Sequence, residues 1–201
     1  LNFACEMREA TQAYLDVYEH PDEMKALMNA GLDFNIQFQE AQMQRIGALE
    51  GGSWVWLAGW VPFERSISLS VDAYVICAVD TYVEFGFEWQ ARLIDHFGHG
   101  LMHFHCNRAD LAAEVAKLPG LELFQFGGDT RDPVPEIDRV PEIRKAVGDV
   151  PLMTDCPMDR FRKGLAEQTL PPNAWYRVKS DTPLSADEAN RLMDDVRAYK
   201  A

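Results

Sequence analysis

Hydrophobic positions along the chain switch repeatedly between two spacings. In residues 21–49, "PDEMKALMNAGLDFNIQFQEAQMQRIGAL", apolar side chains recur at Met24, Leu27, Met28, Leu32 and Ile36, the spacing of an amphipathic helix. Pro21 at the start and Gly47 near the end suit helix termini. "SWVWLAGW" (53–60) then reads as a short apolar strand bounded by glycines. "DTYVEFGFEWQARLIDHFG" (80–98) is helical again and closes at Gly98. Beyond it, "GLMHFHC" (100–106), "LELFQFGG" (121–128), "VPLMTD" (150–155) and "AWYRVKS" (174–180) predict strands. "RADLAAEVAKLPG" (108–120), "VPEIRKAVG" (140–148), "PMDRFRKGLAEQ" (157–168) and "SADEANRLMDDVRAYKA" (185–201) predict helices, the last with Ser185 and Glu188 at capping-box spacing.

Strand and helix thus alternate about five times, and the strands are short and nearly continuously apolar. That pattern predicts an α/β protein with a parallel sheet. No G-x-G-x-x-G run follows any strand, which disfavours a dinucleotide-binding fold. The expectation is therefore a (β/α)8 barrel of the TIM type, incomplete, with five or six strand–helix units present. Eight units ordinarily need about 250 residues, and the chain has 201. No repeat or Ser/Gly linker divides it, so residues 1–201 are expected to form a single domain, with "DTRDPVPEIDRVPEI" (129–143) containing a βα loop on the functional face.

Composition narrows the partners. A net charge of −13 with scattered Lys and Arg argues against nucleic acid or an anionic membrane surface. No apolar run approaches the length of a bilayer span. The opening "LNFACEMREATQAYL" has no basic stretch followed by an apolar one, so it is not expected to be a signal peptide; it also has no initiator Met, as in a processed or trimmed chain. Four cysteines without a CxxC fit a reducing, cytoplasmic setting.

Candidate chemistry concentrates at the ends of the strands. His103 and His105 share one side of their strand, since side chains alternate with period two, while Phe104 and Cys106 share the other. Two imidazoles side by side can hold one metal ion or one anionic ligand, or they can be two hydrogen-bonded residues of a polar strand end. Asp72, Asp129 and Asp155 stand at loop positions where a carboxylate either serves a site catalytically or caps a helix. Cys156, beside an acid, lacks the electropositive setting of a reactive thiolate. Trp54 and Trp56 share a strand face, as packing or as the wall of a pocket for a planar ligand.

The stretch "SLSVDAYVICAVDTYVEFGFEWQARLIDHFGHGLMHFHCN" (68–107) resembles the central segment of the uroporphyrinogen decarboxylase superfamily. The cadence "LPGLELFQFGGDT…VPEIRKAVGDVPLMTD" and the final "TPLSADEANRLMDDV" resemble it too, so the likeness runs over nearly the whole chain. It implies a barrel whose first units are absent here. In the cobamide-dependent methyltransferases of that superfamily an H-x-C-G-N motif binds zinc. On this chain its His falls on His103, its Cys on His105 and its Asn on Asn107. The family's further Cys has no counterpart in "RVKSDTPLS" (177–185), where Asp181 offers a carboxylate. The resemblance therefore implies zinc on His103, His105 and Asp181, with a cobamide as methyl donor if the reaction is methyl transfer. The decarboxylases work on multi-carboxylate substrates, for which Arg65, Arg108, Arg131 and Lys179 are the candidate cations. The expected function is metal-assisted methyl transfer or decarboxylation of a small substrate. The alternative is a catalytically silent binding fragment, with a homodimer or a partner chain completing the barrel.

Overall fold

The computed structural model describes residues 1–105, 108–127 and 134–200. Of the sequence candidates, Cys106, Asn107, Asp129 and Arg131 lie outside the described residues. The chain opens with three helices, α1 (Asn2–Arg8), α2 (Ala10–Glu19) and α3 (Pro21–Ile46). A two-stranded hairpin follows, β1 (Ser53–Val55) and β2 (Gly59–Val61), and then β3 (Ile67–Ser70). After a 3-10 turn at Asp72–Tyr74 come α4 (Val79–Phe85) and α5 (Phe87–Phe97). The alternation continues as β4 (Gly100–His105), α6 (Ala109–Val115), β5 (Leu121–Gly127) and α7 (Glu136–Val147). It ends with β6 (Leu152–Pro157), α8 (Met158–Glu167), β7 (Ala174–Lys179) and α9 (Ala186–Ala198).

Strands β3 to β7 form one five-stranded parallel sheet in sequential order. The sheet is open among the described residues, with β3 and β7 as its edges, and it is compatible with part of an α/β barrel. The side chains alternate as a pleated sheet requires. Met102, Phe104, Phe124, Phe126 and Leu152 turn to one face, where they share a core with Ile94 and Phe97 of α5, Leu111 and Val115 of α6, and Ile143 and Val147 of α7. Cys156 continues that face against Phe161 and Leu165 of α8. Helices therefore cover one side.

The other side is built differently. Leu101, Leu123 and Met153 form its floor, and Val55, Leu57 and Val61 of the hairpin close over them. "SWVWLAGW" is consequently not the first strand of the parallel sheet, as its apolar content suggested. It folds back on itself, Trp54 paired with Trp60, around residues 56–58, and Gly59 takes the turn with φ of 79°. The edge strand is instead "ISLS", whose serines face the side that carries the histidines. The predicted helix over 80–98 is likewise two. A Cβ on Gly86 would stand 2.5 Å from the Tyr82 ring and 2.9 Å from that of Tyr74, so the close packing of these tyrosines passes through a glycine that interrupts the helix. The capping box at Ser185 and Glu188 forms as its spacing predicts. No helix of the described residues is long and apolar enough to cross a membrane.

Candidate metal centre

The register of the sheet assembles the site. Ser70 lies opposite His103, and His103 opposite Gln125, so these three side chains stand in one row on the hairpin side. One row further toward the C-terminal ends, His105 faces Gly127. The two imidazoles are perpendicular, with ring centroids 4.5 Å apart. A Cβ on Gly127 would lie 3.3 Å from His105 Cε1 and 3.7 Å from His103 Cε1. The missing side chain leaves room for the His105 ring, while His103 would meet it only at ordinary contact distance.

Asp72 reaches the same point from the turn after β3. Its backbone N–H donates to Ser70 Oγ at 3.1 Å, and the N–H of Val71 donates to the His103 carbonyl at 3.2 Å. Arg108, just beyond β4, donates to the carbonyls of Val75 and Cys77, both at 2.9 Å, and pins the rest of that loop. Asp72 Oδ2 then stands 3.8 Å from His103 Nε2. One ligand atom from each of Asp72, His103 and His105 lies within 4.8 Å of the others. The 3.8 Å gap is too long for a hydrogen bond and short enough for one ion to touch both groups.

The protonation pattern suits a ligand role. His103 Nδ1 donates to the side-chain oxygen of Gln125, which is itself buried. That hydrogen bond puts the ring's proton on Nδ1 and leaves the Nε2 lone pair directed toward Asp72, the orientation that metal-binding histidines receive from a second polar group. Two of the other histidines are held by carboxylates outside the cluster. His96 pairs with Glu40, and His99 pairs with Glu122 while stacking on Phe63.

Two sequence candidates sit elsewhere. Asp181 lines a different cavity, of about 770 Å³, together with Asp155, Lys179 and Glu188 beyond β6 and β7. The carboxylate that joins the histidines is Asp72, grouped by sequence with the catalytic acids. Asp155, on the same sheet face as Met153, is clasped by Arg177 and Lys179 of β7 and takes no part in the histidine cluster. Burial raises its carboxyl pKa, but the hydrogen bonds and charges of Arg177 and Lys179 outweigh burial and hold it below the ordinary value. Cys156 points into the α8 core, and burial lifts its thiol to about 11. Lys179 and Arg65, two of the proposed cations, are committed to Asp155 and Glu40.

Sequence reasoning passed over Gln125 and Gly127, and it offered Trp56 as packing or as a pocket wall without placing it beside His103. A glutamine inside the apolar run "LELFQF" was the available signal, because a buried amide requires a partner. Trp56 stands at the hairpin turn, two-thirds exposed at 66%, with its ring edge-on to His103 at a centroid distance of 5.5 Å. Fold and cluster define a class: an α/β protein presenting two imidazoles and a carboxylate near the C-terminal ends of adjacent parallel strands. No family model matches the chain, and comparison with curated proteins and with solved structures finds no match.

Proposed function

We propose that this chain is a metal-assisted enzyme acting on a small substrate, in the manner that its resemblance to the uroporphyrinogen decarboxylase superfamily implies. The carrying observation is the convergence of Asp72, His103 and His105, with His103 held by Gln125. Two nitrogens and one carboxylate oxygen suit zinc or another divalent ion and leave coordination positions open for substrate. Such an ion supplies Lewis-acid polarisation of a substrate oxygen. The protein's own part is orientation. Gln125 fixes the tautomer of His103, Ser70 and Arg108 hold the loop that carries Asp72, and Trp56 walls the cluster on the hairpin side.

The donor set favours decarboxylation over methyl transfer to a thiol. A site of imidazole and carboxylate is harder than a thiolate site and prefers an oxygen-bearing substrate. Cobamide-dependent methyl transfer remains the second chemistry that the resemblance implies. Zinc-loaded protein offered small keto acids, with CO2 release followed over time, tests the reading. Turnover that disappears in Asp72→Asn supports it. Turnover unaffected by Asp72→Asn contradicts it, and a zinc-loaded wild type without turnover on keto acids or on methyl donors favours the binding-only alternative.

A further inference from the structure

A cavity of about 470 Å³ opens between the C-terminal half of α3 and the outer side of the hairpin. Its volume falls in the range of small-molecule sites. It borders the histidine cluster at Trp56. Trp56 lines the cavity and also lies edge-on to His103. Ser68 lines it as well, two positions before Ser70 on the sheet face that carries the histidines. Ser68 Oγ is buried with no hydrogen-bond partner among the described residues. A buried hydroxyl left unpaired is unfavourable, and a polar ligand atom entering the cavity would pair it.

The remaining wall sets the chemistry of what fits. Trp54 and Met43 supply apolar and aromatic surface, while Gln39 and Gln42 supply amides. The lining cation Arg65 donates to Glu40 at 2.6 Å, and Glu40 also pairs with His96. Arg65 first and His96 second hold the Glu40 carboxyl down at about 2, so at neutral pH the cation is already compensated. An anionic group gains little in such a wall. An uncharged ring with hydrogen-bonding atoms gains stacking, burial and a partner for Ser68.

We infer that this cavity holds the body of the substrate. It takes a small planar, uncharged ring, with the substrate's oxygen-bearing end directed past Trp56 to Asp72, His103 and His105. This rests on the metal reading above, and Trp56 becomes the residue that sets specificity between ringed and ringless substrates.

Two hydroxamic acids separate the contributions, because both bind zinc through the same oxygens and only one carries a ring. With zinc-loaded protein, benzohydroxamate should bind about tenfold more tightly than acetohydroxamate, the scale of one aromatic contact plus its apolar burial. That preference should vanish in Trp56→Ala, at an exposed position, and in Met43→Trp, which fills the cavity from α3. Acetohydroxamate affinity should stay as in the wild type in Met43→Trp, whose substitution lies on α3 away from the metal cluster. Equal affinity for the two acids in zinc-loaded wild type, or a preference that survives either variant, overturns the pocket assignment and leaves the metal reading standing. Failure of the wild type to bind zinc at all overturns both.

Discussion

At the scale of single residues the site depends on what is absent at one position. Gly127 has no side chain opposite His105, and a Cβ there would come within 3.3 Å of His105 Cε1 and 3.4 Å of its Nδ1. Contacts that tight force the ring to give by a few tenths of an ångström. Gly127→Ala should therefore weaken zinc affinity by about tenfold, the low end of what disturbing a ligand's support costs, while thermal stability changes little. Isothermal titration checks it, and an unchanged affinity would show that His105 does not hold the ion in this orientation. Much of this was legible in the sequence. The H-x-H spacing put both imidazoles on one face, and Asp72 was visible as a loop carboxylate. What the sequence could not convey is register. Gln125 and Gly127 lie twenty or more positions from the histidines, and only the alignment of β5 beside β4 makes one a hydrogen-bond partner and the other a space.

At the scale of elements, the strands that read most clearly were those with one face in the helix-covered core. "GLMHFH", "LELFQFG" and "AWYRVK" appear within a residue of their predicted bounds, whereas the fourth strand, expected over 150–155, runs from Leu152 to Pro157. "ISLS" escaped notice because half of it is serine, and it is half serine because its second face belongs to the site rather than to a core. "SWVWLAGW" was misplaced for the opposite reason. Its apolar content is real, but Val55 and Leu57 cover the sheet from above instead of joining it, and Gly59 supplies the turn. The last pair of strands carries its own test. Asp155 of β6, clasped by Arg177 and Lys179 of β7, has a folded pKa below its unfolded value of about 3.9. Its contribution is thus present above that unfolded value and is lost as pH falls through the folded one. Arg177 and Lys179 are partly exposed, so Asp155→Asn should cost only ~1 kcal/mol at pH 7. Denaturant midpoints measured from pH 7 to 2 should show the gap between wild type and variant closing below about pH 4. A gap that is constant over that range would mean the clasp adds no charge-dependent stability.

At the scale of the whole molecule, strand order joins fold to function. Five parallel strands in sequential order place the helices on one face and leave the other to the hairpin, the histidine row and the Asp155 clasp. In an α/β barrel that second face would be the interior. Everything functional still turns on whether Asp72, His103 and His105 hold an ion. Zinc content per chain, measured after reconstitution and extensive dialysis, decides it for wild type, His105→Ala, Asp72→Ala and Asp181→Ala side by side. The account predicts one zinc in the wild type and in Asp181→Ala, and loss of it in His105→Ala and Asp72→Ala. No zinc in the wild type, or retention in His105→Ala, would contradict it.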